Sequence, residues 1–211
     1  MTTIYHFTHA SNLSNIINDG GLLSESECAR RRRASTRSGN AEIKDRRLRR
    51  SIDPGIGMAG VVGDYVPFYF APRSPMLFSI KSGNVPGVDA DQDQIVYLVA
   101  SAQDFTAPGF VVTDGNAASG LSSFYGTHEA IRERLDWEVL GATYWRNTDD
   151  DGDRMRRRMA EFLVHRFVAW TCIRALATRV SSTRLQLLGL YRTLQPPHCP
   201  PIEVRPGWYY S

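Results

Sequence analysis

Three observations predict an α+β fold. Short apolar runs rich in β-branched and aromatic residues, at Tyr65 to Ala71, Gln94 to Ala100 and Gly109 to Thr113, read as strands. Segments with helical spacing lie between and around them. The two kinds of segment do not alternate as regular βαβ units, which disfavours a parallel α/β sheet. The 211 residues, 42% hydrophobic and 22% charged, suit one globular domain with a sizeable core. No repeat or low-complexity linker divides the chain, so a single domain over 1–211 is expected.

Taken in order, Ile4 to Phe7 is a short strand that runs into His-Phe-Thr-His. Ser11 caps a helix carrying Leu13, Ile16 and Ile17, and Gly20-Gly21 stops it. Glu25 to Gly39 is polar and arginine-rich without a clear period, and reads as a loop or a segment ordered by a ligand. Asn40 to Ser51 reads as a surface helix with Asn40 as its cap, because Ala41, Ile43 and Leu48 form only a partial apolar stripe. Asp53 to Gly63 is a loop. Pro67 in the aromatic strand predicts a sheet edge, since proline cannot donate to a ladder. A short helix follows over Met76 to Ile80. Asp114 to Thr127 reads as a long loop, and His128 to Glu138 as one helix with Ile131, Leu135 and Val139 on one side. The run from Arg158 to Trp170 reads as a strand. A strand near Ile173 to Leu176, a helix over Ser182 to Leu194, a proline-rich turn and a terminal strand ending Trp208-Tyr209-Tyr210 complete the chain.

The N-terminus has no charged start followed by an apolar signal core, and no apolar run reaches the roughly 20 residues that span a bilayer. A cytoplasmic protein without membrane contact is expected. Cys28, Cys172 and Cys199 are odd in number and widely spaced, so neither a disulfide scaffold nor a zinc site is expected. The net charge is only +3, but Arg30 to Arg50 holds ten Arg or Lys residues against Glu42 and Asp45. Such a stripe attracts phosphates; the bland alternative is a solvated face.

Glu161 stands out within the Arg158 to Trp170 run. Along a strand it shares a face with Leu163 and His165, with Phe162 and Val164 opposite. A carboxylate there must be paired, exposed in a cleft or protonated, which makes it a candidate for chemistry. Pairing with Arg156, Arg157 or Arg158 is the structural alternative. The chain lacks a G-x-G-x-x-G after a strand, a Walker loop and a G-x-S-x-G, which removes support for a Rossmann dinucleotide site and for α/β-hydrolase chemistry. His6 and His9 have no third ligand nearby, and no metal site is expected.

IYHFTH at Ile4, the helix with its GGLL exit, KDRRLRR at Lys44, DYVPFYFAPRSPML at Asp64, GFVVTDGNA at Gly109, ATYW at Ala142 and AEFLVH at Ala160 run in one order along nearly the whole chain. In this set the sequence resembles DarT, the DNA ADP-ribosyltransferase toxin family of DarT-DarG toxin-antitoxin systems. The resemblance implies an ADP-ribosyltransferase fold, a split antiparallel sheet with flanking helices and a central NAD cleft. It implies NAD as co-substrate, held by His6, Phe7, Thr8, Asn15, Leu23 and Arg47, with Glu161 and Arg47 as the catalytic residues. Single-stranded DNA is the implied acceptor, at thymidine rather than guanosine from the YVPFYF-PRSPML version, and DarG the implied antitoxin.

For DNA, the aromatic, basic and methionine residues Tyr69, Arg73, Met76, Tyr144, Trp145, Arg146 and Arg154 are the candidates, since single strands offer base faces for stacking and phosphates for arginines. Core packing is the alternative for Tyr69 and Trp145. His165 lines the cleft or is structural. Chemically, an arginine suits the NAD pyrophosphate, and a fixed carboxylate suits the cationic ribose that develops as nicotinamide leaves. Either Glu161 or Arg47 is left to help remove the base proton. An RNA or protein acceptor, or a nucleic-acid-binding module without catalysis, are the competing readings.

Overall fold

The structure is a computed structural model that describes residues 1–33, 41–53, 55–85 and 91–211. Asn40, the expected helix cap, lies outside the described residues, as do Arg37 of the basic stripe and Pro54. In chain order the elements are β1 (Thr3–His9), α1 (Leu13–Asn18), β2 (Gly21–Leu23), α2 (Glu25–Arg30), α3 (Ala41–Arg49), β3 (Ser51–Ile52), β4 (Gly60–Val61), β5 (Tyr65–Tyr69) and α4 (Pro75–Lys81). They continue with β6 (Ile95–Ser101), β7 (Phe110–Thr113), β8 (Phe124–Tyr125), α5 (Glu129–Glu133), α6 (Trp137–Gly141), α7 (Arg154–Arg157), β9 (Glu161–His165), β10 (Phe167–Ala169), β11 (Ala175–Thr178), α8 (Ser181–Leu194) and β12 (Ile202–Val204).

One eight-stranded sheet, ordered β12-β11-β6-β1-β5-β9-β7-β8, organises the chain; its pairs are antiparallel except β11 with β12. The period of two divides each strand between two faces. Ile4, Val66, Phe68, Val96, Leu98, Phe110, Val112, Phe162 and Val164 point into the main core with Leu13, Ile131, Trp170 and Leu187. Phe7, Ile95, Tyr97 and Ala177 face the other way, against α4 and Tyr209. Leu163 joins Tyr65 and Val111 on that second side, so Glu161, two residues earlier, shares it.

Several expectations are corrected. Pro67 lies inside the sheet, with β1 on one side and β9 on the other. It is tolerated because β1 and β5 pair only at Tyr5 and Tyr69 and then part; the Pro67 carbonyl faces the gap, where the His6 side chain meets it, and its donorless nitrogen looks the same way. The sheet is split at this point. Glu25 to Arg30 is helical rather than a loop, because Ser24 accepts the N–H of Glu27 at its start. The Arg158 to Trp170 strand is two strands: Arg166 turns the chain at φ 62° and β10 leaves the main sheet to pair with β2. The helix expected over His128 to Glu138 is broken into α5 and α6, and Asp136 caps the second through the N–H of Val139. The loop before it contains β8, the loop over Asp53 to Gly63 contains β4, and the last strand is Ile202–Val204, with Pro206–Trp208 forming a tight 3-10 turn. All three cysteines are free, and among the described residues no helix is long and apolar enough to cross a membrane.

Candidate active site

Where β1 and β5 part, a cleft of about 420 Å³ opens. Its β1 wall is His6, Phe7 and Thr8; Pro67 and Tyr69 come from β5, and Met76 from α4. Asn12, Asn15, Ile16 and Asp19 follow one another at helical spacing along a 3-10 turn (Ala10–Asn12), α1 and the residue that caps its end, so one helix face lines the cleft. Gly21, Leu22 and Leu23 form another side, and α3 contributes Ile43, Lys44 and Arg47. Every residue expected to hold NAD, namely His6, Phe7, Thr8, Asn15, Leu23 and Arg47, lines this one cleft.

Glu161, 1% exposed, is not itself in the lining; it stands opposite Tyr69 on the β5–β9 ladder and is tied to the cleft wall through Arg47. Its carboxylate accepts from two donors that come from distant parts of the chain: Arg47 Nη1 on Oε2 at 2.7 Å and the Ala117 N–H on Oε1 at 2.9 Å. None of Arg156, Arg157 or Arg158 is its partner. Arg156 engages Asp114 and Asp153, Arg157 engages Asp136 and Asp151, and Arg158 donates to the carbonyls of Pro72 and Arg73. Burial works against the Arg47 charge, but the Glu161 carboxylate outweighs it, and the guanidinium pKa lies above its ordinary value. Arg47 Nη2 is buried without a partner among the described residues. A buried unpaired donor is costly, and here it is a donor to spare for an anionic or polyhydroxylated ligand.

His6 is neutral. Burial, opposed by the Pro67 bond and aided by Arg47, lowers its pKa to about 4. Its Nδ1 lies 2.8 Å from the Pro67 carbonyl, which can only accept, so the ring proton is on Nδ1 and Nε2 is left as an acceptor. Phe7 and Tyr69 stack with centroids 5.9 Å apart and planes 13° from parallel, an aromatic wall beside the carboxylate. Burial, then Glu161, raises the Tyr69 pKa, so its phenol stays protonated. These features fit a nicotinamide dinucleotide: aromatic and apolar walls for the rings, a neutral imidazole, spare guanidinium donors and a fixed carboxylate.

The DNA candidates are dispersed. Tyr69 and Met76 line the cleft. Arg73 adopts a left-handed φ of 57° and donates through Nε to the Tyr209 carbonyl. Tyr144 is 87% exposed, Arg154 donates to its carbonyl, and Arg146 sits over the Phe78 ring. Trp145 is buried, with Nε1 donating to the Tyr210 hydroxyl and its ring against Phe78; packing, the alternative to stacking on a base, is what the geometry places there. His165 packs on Tyr65 and is not in the cleft wall. The sequence reading missed Asn12, Asp19, Ile43 and Lys44 in the lining, and Thr113 and Ala117 around Glu161. The spacing of Asn12, Asn15 and Asp19 was the available signal for the first two.

A split antiparallel sheet with such a cleft, and a buried carboxylate bonded to an arginine of its lining, defines the ADP-ribosyltransferase class of fold. The family model described as "ssDNA thymidine ADP-ribosyltransferase, DarT" matches residues 5–210, and the chain belongs to the DarT family. A curated relative from Thermus sp. (strain 2.9), named DNA ADP-ribosyl transferase, is 35% identical over 211 residues, 99% of this chain and 96% of its own. The solved structure of Thermus sp. 2.9 DarT in complex with ADP-ribosylated ssDNA superposes with a TM-score of 0.88 at 33% identity, covering 99% of this chain and 96% of that one. The same protein in complex with NAD+ gives 0.83 at 32% identity, covering 99% and 98%. A relative from Thermosipho africanus, 27% identical over 76% of this chain and 38% of its own, is named as a fusion of DNA ADP-ribosyl transferase with DNA ADP-ribosyl glycohydrolase.

Proposed function

We propose that this chain transfers ADP-ribose from NAD to thymidine in single-stranded DNA, releasing nicotinamide, with residues 1–211 acting as one ADP-ribosyltransferase domain. The observation that carries the reading is the Arg47–Glu161 pair, whose arginine lines the cleft; the family description and the NAD and DNA complexes of the Thermus protein support it.

In this reading the nicotinamide lies against His6, Phe7 and Thr8, and the remainder of NAD runs past Asn15 and Leu23 under α3. Arg47 Nη2 donates to NAD. Glu161 accepts a hydrogen bond from the hydroxyl of the nicotinamide-bearing ribose and stabilises the positive charge that develops as the glycosidic bond breaks, an interaction strongest in the transition state. The base nitrogen attacks the ribose carbon that nicotinamide leaves, and its proton passes to the Glu161 carboxylate. Arg47 is unsuited to that step, because its pKa lies above an already high value; it orients NAD and Glu161.

Single-stranded DNA approaches over Tyr69, Met76 and Arg73, with Tyr144, Arg146 and Arg154 on the flank, where arginines meet phosphates and an exposed aromatic meets a base. The protein acts in the cytoplasm, where its substrate is the cell's own DNA. The Thermosipho fusion supports a glycohydrolase antitoxin, DarG, as the partner that reverses the modification.

The test is incubation with NAD and oligonucleotides that each lack one base type, read by product mass, with Glu161→Gln in parallel. One ADP-ribose on thymidine-containing strands, reduced at least about 100-fold in the variant, is the expected result. Labelling that follows guanosine overturns the acceptor; labelling undiminished in the variant overturns the role of Glu161.

A further inference from the structure

The β7–β9 ladder pairs Phe110 with Val164, Val111 with Leu163 and Val112 with Phe162. The next rung would set Thr113 opposite Glu161, and it is not a backbone rung. There the Glu161 N–H donates to the Thr113 hydroxyl at 3.0 Å, and that hydroxyl donates to the Gly115 carbonyl at 2.6 Å. A side chain has replaced a carbonyl as the partner of the catalytic residue's own amide, and the same oxygen starts the turn that follows.

That turn comes back onto Glu161. The Asn116 N–H donates to the Arg156 carbonyl at 3.0 Å, Arg156 Nη1 bonds Asp114 at 2.9 Å, and the Ala117 N–H reaches Glu161 Oε1 at 2.9 Å. Thr113 is fully buried. The Thr113 hydroxyl therefore links both ends of one loop of contacts: the main chain of Glu161, through its N–H, and the turn whose amide holds Glu161's carboxylate.

The geometry points to Thr113 as a positioning residue for transfer, one that sets the carboxylate's place through the 114–117 turn without touching substrate. This rests on the role given above to Glu161. A hydroxyl is required because one atom must accept from Glu161 and donate to Gly115 at once; no hydrocarbon does either, and a thiol does both poorly. Preorganisation of this kind acts on the chemical step rather than on binding.

The experiment compares Thr113→Ser, Thr113→Cys and Thr113→Val, measuring kcat and the KM values for NAD and a thymidine-containing oligonucleotide, with thermal unfolding recorded for each. The expected order in kcat is wild type and Thr113→Ser within about threefold, Thr113→Cys lower, and Thr113→Val down roughly tenfold or more, with both KM values within about threefold of wild type. If the valine variant does not fold, the serine and cysteine variants decide by the same order. Equal losses in the serine and valine variants, or in serine and cysteine, would assign the effect to packing and overturn the proposal, as would a valine variant of full kcat. Nicotinamide release is followed beside DNA labelling. A wild type that releases nicotinamide without labelling DNA fails the acceptor assignment, while its variants still rank the role of Thr113.

Discussion

Tyr69 stands directly opposite Glu161 across the β5–β9 ladder, and its ring stacks on Phe7 at the wall of the cleft. Neighbours in this position share a sheet face with Cβ atoms about 5 Å apart. The ring and the hydroxyl are separable. Tyr69→Phe keeps the stacking surface and is expected to hold kcat within about threefold of wild type. Tyr69→Ala removes a platform worth about 1–3 kcal/mol per stacked base, and the KM for oligonucleotide should rise at least about fivefold. Equal behaviour of the two variants in steady-state kinetics would mean that the phenol, not the ring, is what matters.

Arg47 should not be replaceable by lysine. Its Nη1 is committed to Glu161 and its Nη2 has no partner among the described residues, a division that needs the planar fork. Arg47→Lys is expected to lose about 100-fold or more in kcat/KM for NAD. Calorimetric titration with NAD then separates weakened binding from slowed chemistry; a lysine variant within a few fold of wild type sinks the argument.

His6 sets a pH dependence of stability with a definite sign. Its pKa falls from the ordinary 6.5 to about 4 on folding, so between those values the unfolded chain binds a proton that the native protein does not. Stability therefore rises with pH across this window, and the contribution is complete above 6.5. The span corresponds to about 3 kcal/mol. Denaturant unfolding from pH 4 to 7.5 should show this slope in the wild type, and less of it by about that amount in His6→Gln. Identical slopes would show that His6 does not titrate as described.

Gly21 admits no side chain. Its φ is 156°, and a Cβ built there falls 2.0 Å from the Val168 carbonyl oxygen and 2.9 Å from the Phe167 ring. Since β2 pairs with β10 at this point and lines the cleft, Gly21→Ala is expected to cost more than about 2 kcal/mol and to raise the KM for NAD. Urea unfolding checks the first effect, initial rates the second. A variant of wild-type stability would show that the backbone shifts freely.

What the sequence revealed of this site follows from how each residue acts. Glu161 and Arg47 stand out by their own side chains within recognisable patterns, a β-branched and aromatic run and a helical basic stretch, and the structure sets them 2.7 Å apart. Ala117 acts through a backbone N–H, 44 residues from the carboxylate it holds, and no residue type announces that. The α2 helix was legible: Ser24 with Glu27 three residues on is the start of a capping box, overshadowed by the arginines that follow. Pro67 misled because the edge rule asks only whether a neighbour needs a donor, and inside a split sheet the side facing the gap needs none. The break at Arg166 was hidden for a related reason, since both halves of the run are strand-forming and only the pairing of β10 with β2 separates them.

Pro67 has a further consequence. Two adjacent strands that part to leave a cleft face the hazard of zipping shut, as open sheet edges do when they meet another chain. An imino acid offers no hydrogen to the opposing strand, and its oxygen is already engaged by His6. The aperture is thus kept from self-closure by chemistry built into its rim, and a molecule entering it need spend no binding energy to pry two strands apart.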